Sequence, residues 1–466
     1  MASDFEPILG TWWAVGAPDV RISGYLDLTS DIDAPWRLVL AGQLTEWPEP
    51  GHDRHMTVLG RGPQGEFTLR FASHTVNRGY GRTGEDVVQV WRAREFLRGG
   101  HEIGQDHHAV EFELPHLLAW RGHSQYSEWN GGMLSDRNLP PILGAQLHGA
   151  RSIYLGASSH GSFRDAGESW EVRGRYRVTG RDGVTLDGVA SLVTSLTWLQ
   201  GIMISTPVEP RRIMMESGPR PIPSLAIVDP RQPADSGLRY EPFLDATDVD
   251  FEQFMRQWTE LGESAPSAMR AASPSEQRLP AESQLAEVCK GIEALDALIS
   301  PAPELDETDK RALAALDVAG LPGHIKRYVR SQLKMHHRTL PIKLASLAQM
   351  MGAESAQWLL GPSLAEWAQS VAQLRNAHAH GLPLPGGMKN DVPFLVTSLR
   401  SVTAVLKLSL LAAAGYSNRD SAAPGELLRG GGVTVTPHPD SLLFYELEAI
   451  ASYSDHWSGW HRRLHP

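Results

Sequence analysis

The sequence predicts an α+β protein of two domains: a β-rich, sandwich- or barrel-like domain in residues 1–240 and an all-α helical bundle in residues 241–466. Three observations predict this division. The first half of the 466-residue chain is rich in Gly, Trp and turn signals between short alternating runs. Eight prolines then fall between Pro207 and Pro242. From about residue 245, apolar residues recur at the spacings of three and four that are typical of helices. Strands followed by helices indicate an α+β fold or separate domains.

The β-rich half contains short runs in which apolar and polar residues alternate, the pattern of half-buried strands. Helical signals are few there, and the clearest is the short apolar run Leu117–Trp120. The Pro-rich segment Pro207–Pro242 is interpreted as final strands plus an extended connector. The predicted strands are Ile22–Leu28, Trp36–Leu40, Phe67–Phe71, Ala109–Leu114, Ser169–Val178 and Gly188–Ser195.

The second half contains a series of segments with helical periodicity. Asp391 before Pro393 is a helix start signal, and Gly381 and Gly415 are stop signals, because Gly favours the position after a helix. The loop Gly381–Asp391 either borders an active site or simply connects two helices. The predicted helices are Asp248–Leu261, Ala281–Ile299, Glu307–Asp317, Gly323–Arg338, Ile342–Met351, Ser363–His380, Pro393–Ala414 and Asp440–Ser452.

Composition restricts the class of protein. The single cysteine, Cys289, excludes a disulfide framework and fits a reducing compartment. The first residues carry neither a basic segment nor an apolar stretch, so no secretion signal is expected. The longest apolar helix candidate, Pro393–Ala414, carries Arg400 and Lys407, which favours a buried helix over a membrane span. We therefore expect a cytoplasmic protein without a membrane partner.

The segment Leu374–Gly381 places Arg375, Asn376, His378 and His380 in the last turns of a predicted helix. Asn376 and His380 share one helix face, as do Arg375 and His378. The negative end of the helix dipole should favour the charged form of a nearby imidazole and bring its pKa toward neutral pH. A guanidinium beside a titratable imidazole suits stabilisation of a phosphorane and proton transfer at an RNA 2′-hydroxyl. The alternative is an Arg that covers an apolar surface and a His that caps a helix.

A row of basic residues recurs every four positions on the predicted helix Gly323–Arg338. The net charge of −11 argues against nucleic-acid binding over the whole surface, yet no acidic residue falls between Asp317 and Glu354. Such a row is either a solvated helix face or a confined phosphate-binding site. We call Lys326, Arg330, Lys334 and Arg338 the basic row and interpret it as an RNA-binding surface.

Other sequence motifs that would indicate a cofactor or a metal ion are absent or incomplete, so neither is expected. Gly79–Gly84 fits a dinucleotide-binding Gly pattern, but Asp86–Trp91 after it is predicted as a strand, whereas that motif must open a helix. The His pairs lack the spacing and acidic partner of a zinc helix, and one cysteine excludes a thiolate cluster. Neither a nucleophile elbow nor a phosphate-binding loop is present.

Arg375, Asn376 and His380 match the Arg-Asn-x-x-x-His signature of HEPN domains, the helical domains of many metal-independent ribonucleases. In layout, nearly the whole chain resembles the ApeA-type family, in which a β-rich module precedes a HEPN domain. The segments that carry this resemblance are Gly10–Trp13, Gly24–Leu26, Leu40–Leu44, Val110–Phe112 before Leu117–Trp120, and Ile292–Leu295.

The resemblance implies an endoribonuclease of abortive anti-phage defence that leaves a 2′,3′-cyclic phosphate and a free 5′-hydroxyl. It implies His380 as acid/base catalyst, Arg375 as stabiliser of the phosphorane and Asn376 as orienting residue, in a cleft shared by two subunits of a homodimer. The chain departs from the family pattern in having two His within the motif, so His378 is a second candidate for the role of His380, either beside it or in its place. The expected partners are RNA, with tRNA as one candidate, and a phage-derived activator sensed by the β-rich domain.

Two other functions fit the same sequence. A HEPN-like bundle could serve only dimerisation and partner binding, with the motif residues structural and the β domain sensing a ligand. Alternatively, the β domain could bind a ligand or carbohydrate through its Trp residues, with the helical half as an assembly module.

Overall fold

The computed structural model describes residues 7–28, 36–44, 56–79, 87–93, 95–98, 106–120, 142–164, 167–208, 210, 212–216, 242–246, 249–274, 279–300, 307–318, 320–336, 339–415, 428–430, 433–435 and 440–465. The chain divides into two compact units. The first comprises Met1–Leu118, His123–Thr194 and Glu209–Leu238, and the second comprises Ala119–Gly122, Ser195–Val208 and Arg239–Pro466.

The first unit begins with an antiparallel sheet in which the long strand β5 pairs with both β4 and β6. The strand order is β4-β1-β2-β3-β6-β5-β7, and the pairing of β4 with β5 closes the sheet into a barrel. Its strands are β1 (Ile8–Ala14), β2 (Ile22–Leu28), β3 (Trp36–Ala41), β4 (Met56–Gly62), β5 (Gly65–Gly79), β6 (Val87–Ala93) and β7 (Glu95–Arg98).

The interior of this barrel is filled by large apolar side chains from alternate strand positions. In β3, Trp36, Leu38 and Leu40 are buried while the residues between them are half-buried. Trp12 stacks on Phe67 at 6.0 Å between ring centroids. Burial of such rings is a large source of stability. Trp12 and Trp36 therefore act as core residues and do not form a ligand surface.

A second antiparallel sheet completes the strands of the first unit, in the order β12-β8-β11-β10-β9. A buried Glu111 in β8 accepts hydrogen bonds from Arg175 (2.7 Å) and Arg177 (2.6 Å) of β11. Arg177 also binds Glu216 through two nitrogens and holds the pKa of that carboxyl below its usual value. The strands are β8 (Asp106–Glu113), β9 (Leu143–Gln146), β10 (Arg151–Arg164), β11 (Gly167–Thr185) and β12 (Arg212–Glu216).

The strands predicted at Ile22–Leu28, Trp36–Leu40, Phe67–Phe71, Ala109–Leu114 and Ser169–Val178 all coincide with observed strands, and α1 (Leu117–Trp120) is the short helix expected. The strand predicted at Gly188–Ser195 is wrong, because that segment belongs to helix α2 (Leu186–Ile204). Val189, Leu192, Leu196 and Leu199 are buried at spacings of three and four. A short apolar run fits a strand or a helix equally well when only part of its length is considered. Of the Gly-rich segment Gly79–Gly84, only Gly79 is described, and it is the last residue of β5. The strand expected after this segment is observed as β6.

The second unit is mainly helical. At its centre, α5 and α8 both pack against α10 and α11, while α4 packs on α5, α13 packs on α10, and α6 packs on α7. The helices are α3 (Phe251–Ser264), α4 (Pro266–Ala272), α5 (Ala281–Ile299), α6 (Glu307–Val318), α7 (Gly323–His336), α8 (Leu340–Met350), α9 (Ala353–Leu360), α10 (Leu364–His380), α11 (Val392–Ala413), α12 (Leu442–Ala451) and α13 (His456–Leu464). A small hairpin pairs β13 (Leu428–Gly430) with β14 (Val433–Val435).

The eight predicted helices correspond to α3, α5, α6, α7, α8, α10, α11 and α12, with ends that differ by up to three residues over the described part. Three helices of this unit were not predicted: α4, α9 and α13. The last is short and carries Gly459, which obscures its apolar positions Trp457, Trp460 and Leu464. Together with the barrel, these helices confirm an α+β multidomain fold.

Helix α11 is the longest helix in the described part of the second unit. Asp391 caps its start by accepting a hydrogen bond from the Phe394 N–H at 3.0 Å. By length and composition this 22-residue helix could cross a membrane, but 78% of its most apolar window is buried within the protein. Helix α11 is therefore a core helix here, as its sequence predicts.

Candidate functional site

Helix α10 presents the Arg-Asn-x-x-x-His segment at its C-terminal end. Ser363 caps the first turn by accepting from the Glu366 N–H. Trp367, Val371 and Leu374 form the buried face of the helix. The helix ends at His380 because Gly381 adopts the left-handed conformation with φ of +67°. The buried face fixes the rotation of the helix and so determines where each motif side chain points.

Arg375 and Asn376 are joined by a hydrogen bond. An Nη of Arg375 donates to the Asn376 side-chain oxygen at 3.1 Å. Arg375 is half-buried, and its Nε has no hydrogen-bond partner within the described residues. Its charge lies close enough to Cys289 on α5 to lower the pKa of that thiol, although burial dominates and raises the pKa to about 12. The guanidinium is thus oriented by Asn376 and retains donors that are suited to an anion.

His378 is half-buried, and its Nε2 is buried without a hydrogen-bond partner in the part of the chain described. Burial lowers the pKa of His378; Glu282 opposes this effect and Lys389 adds to it. The expectation that the helix dipole favours a charged imidazole is therefore wrong for His378. Desolvation by neighbouring elements is the main cause of the lowered pKa, and the local dipole argument omits it.

His380 is the last residue of α10, and its side chain is exposed, as is that of Asn376. The four motif residues therefore separate into two pairs. Arg375 and His378 are half-buried, whereas Asn376 and His380 face solvent, in agreement with the helical spacing. Of the two imidazoles, His380 is the more accessible to a macromolecular substrate.

Helix α13 adds polar side chains that the sequence did not single out. The Ser458 hydroxyl donates to the Glu366 carboxylate at 2.5 Å. Farther along both helices, Nε2 of His465 lies 2.8 Å from Nε2 of Gln373. Only tertiary packing brings these residues to α10. The available signal was the density of His and Arg in the last residues of the chain.

The basic row is only partly described. Lys326 lies on α7, and its ammonium donates to the Asp317 carbonyl at 2.9 Å, so it caps the end of α6. Arg330 and Lys334 also belong to α7, whereas Arg338 lies outside the described residues. Lys326 thus has a local structural partner, and an RNA-binding role for the row stays a prediction.

Within the described ranges, no group of three or more His, Cys, Asp or Glu side chains could hold a metal ion. The polar groups at the end of α10 are a guanidinium, a carboxamide and imidazoles. These groups can bind an anion and transfer protons.

The fold and site define a protein that combines a β-barrel with a helical bundle carrying an Arg-Asn-His segment. The family model for ApeA N-terminal domain 1 matches residues 7–258, and the chain belongs to this family. Membership supports an ApeA-like protein of anti-phage defence. A search of curated proteins and a search of solved structures found no match. The family match ends within α3, so the motif residues lie beyond it.

Proposed function

We propose that this chain is a metal-independent endoribonuclease of the HEPN type that acts in anti-phage defence. The observation that carries the proposal is the arrangement at the end of α10. There Arg375 donates to Asn376, its Nε has no hydrogen-bond partner among the described residues, and His380 is exposed one helical turn beyond Asn376. The family match supports the defence role independently of these residues.

The proposed reaction is attack of an RNA 2′-hydroxyl on its own phosphate. His380 acts as acid/base catalyst, since imidazole exchanges protons near neutral pH. Arg375 stabilises the charge that develops on the phosphorane, because a planar guanidinium with several donors matches phosphate oxygens. Asn376 orients Arg375 through their hydrogen bond. The products are a 2′,3′-cyclic phosphate and a free 5′-hydroxyl.

A homodimer through the helical half would complete this site. One copy of Arg375 and His380 supplies few groups to surround a scissile phosphate, and a two-fold axis would double them. The exposure of Asn376 and His380 suits a cleft between two subunits. The N-terminal domain would sense a phage-derived activator, and the substrate would be RNA of the cytoplasm, with tRNA as a candidate.

Incubation of the protein with total RNA, followed by mapping of the cleavage ends, tests this function. We expect new 2′,3′-cyclic phosphate ends with the wild-type protein and none with Arg375→Ala. The matched control is Arg400→Ala, which removes an exposed arginine of α11. Cleavage by Arg375→Ala at the wild-type rate would contradict the proposed function.

A further inference from the structure

Helices α10 and α13 run parallel, side by side. Ser458 of α13 contacts Glu366 of α10. Seven residues farther along each segment, His465 contacts Gln373. An equal advance in the same direction is possible only for parallel neighbours. The backbone N–H of His465 donates to the His461 carbonyl at 3.0 Å, so His465 is the C-cap residue directly after α13. The contact between the two side chains therefore places His465 beside the helix that carries the motif.

Gln373 lies on the same stripe of α10 as Asn376 and His380, because it precedes them by three and seven residues. With a rise of about 1.5 Å per residue, these positions lie about 4.5 Å and about 10 Å farther along the helix axis. Helix side chains lean toward the N-terminus, so His380 leans back toward Gln373. A phosphodiester over Asn376 would thus have an imidazole on each side.

We propose that His465 is the second acid/base group of the RNA-cleaving site and works together with His380. The inference rests on the proposed function and deepens it. As the bond from O2′ to phosphorus forms, one imidazole takes the proton of the 2′-hydroxyl. As the bond from phosphorus to O5′ breaks, the other, entering as imidazolium, gives its proton to the leaving oxygen. The two imidazoles end with exchanged protonation states, which solvent restores.

The contact with Gln373 suits this role. When Nδ1 exchanges the proton, Nε2 keeps its own hydrogen in both protonation states and is a donor throughout. Rotation of the Gln373 carboxamide exchanges its NH₂ group and its oxygen, so that the oxygen accepts from this N–H. The ring of His465 is thereby oriented while Nδ1 is left to exchange a proton with RNA. His465 is exposed, and the ring of His461 lies 4.5 Å from it between centroids.

The charged groups near the C-terminal end of α13 include Arg462 and Arg463 of α13 itself and Lys389 and Asp391 of the neighbouring turn. The Asp391 carboxylate accepts from Arg463 at 3.1 Å. Lys389 lies in the 3-10 turn Pro385–Asn390, which packs against α13. These charged groups are present in every variant proposed below, so they affect the pH profile of each variant in the same way.

The test compares RNA cleavage by His465→Ala and Gln373→Ala with that of the wild type across a range of pH. General acid–base catalysis contributes about 10²- to 10⁴-fold, so we expect His465→Ala to lose at least about 100-fold and one limb of the pH profile. Gln373→Ala should show a smaller loss, because the imidazole remains but is no longer held. His456→Ala, an exposed His on α13, is the control and should cleave normally.

A substrate in which sulfur replaces the 5′ leaving oxygen separates chemistry from folding. A thiolate leaves without protonation, so this substrate should restore cleavage in the variant that lacks the acid, either His465→Ala or His380→Ala. Restoration in neither variant, or a uniform loss in His465→Ala with an unchanged pH profile, would overturn the proposal.

Different results would contradict the role of His465 and the proposed function. Wild-type cleavage that depends on Arg375 but is unaffected by His465→Ala contradicts this inference and leaves the proposed function standing. Cleavage that is unaffected by Arg375→Ala contradicts the proposed function itself.

Discussion

Replacing His378 and His380 one at a time should separate catalysis from stability. His380 is exposed at the end of α10, so His380→Ala should change the free energy of unfolding by less than about 0.5 kcal/mol. Its loss as acid/base catalyst should slow RNA cleavage by about 10²- to 10⁴-fold. His378→Ala should retain cleavage, since that imidazole is half-buried behind the exposed face.

His378 should instead affect the pH dependence of stability. Its pKa is lowered in the folded protein, mainly by burial, so the folded state binds fewer protons than the unfolded state. The stability that this group contributes is present above its ordinary value of 6.5 and is lost as pH falls below it. The wild-type protein should therefore lose stability more steeply on acidification than His378→Ala does.

The measurements are RNA cleavage at neutral pH and urea unfolding at neutral pH and near about pH 5.5. His456→Ala is the matched control, because it removes an exposed imidazole from another helix. Normal cleavage by His380→Ala together with loss of cleavage in His378→Ala would show that His378, and not His380, is the acid/base catalyst. Identical pH dependence of unfolding in the wild type and His378→Ala would refute the role of burial.

Three further predictions follow from the same site. Cleavage should persist in EDTA, because Arg375 replaces a metal ion as stabiliser of the phosphorane; activity that vanishes in EDTA and returns with Mg²⁺ would contradict this. A mixed dimer of wild-type and Arg375→Ala subunits should lose most of its activity if two copies build one cleft, whereas an active strict monomer at micromolar concentration would rule the shared cleft out. Replacing Lys334 and Arg338 by neutral residues should flatten the plot of log binding constant against log salt concentration. Its slope should fall by about 0.7 for each lost phosphate contact, while the cleavage chemistry stays intact. Lys290→Gln on α5, where Lys290 pairs with Glu287, is the control for this slope, and an unchanged slope would mean that the row is a solvated face.

The sequence predicts best the helices and strands in which the spacing of apolar residues matches one buried face along most of the element. Strand Trp36–Leu40, in which every second residue is buried, and helix Ala281–Ile299 are predicted to within one residue for this reason. Helix α2 was missed because its first turns contain Gly188, Val189, Val193 and Thr194, residue types with low helix propensity. Val and Thr are also frequent in strands, so over Gly188–Ser195 the residue types favour a strand although the buried positions follow a helical spacing.

At the candidate site, the sequence predicts what depends on helix geometry alone. The stop at Gly381 and the shared exposed face of Asn376 and His380 follow from spacing. The lowered pKa of His378 depends on desolvation by other elements, which the local dipole argument omits. The contact of Gln373 with His465 joins residues that are 92 positions apart, so no local pattern could reveal it.

The most direct test of the central claim is to sequence RNA ends in phage-infected cells that carry the wild-type chain, Arg375→Ala, His380→Ala or Arg400→Ala. We expect 2′,3′-cyclic phosphate ends, paired with 5′-hydroxyl ends at the same positions, in cells with the wild type and Arg400→Ala. Cells with Arg375→Ala or His380→Ala should lack these ends, although the proteins are present at equal levels. The same ends at the same abundance in all four strains would contradict the assignment of RNA cleavage to this site.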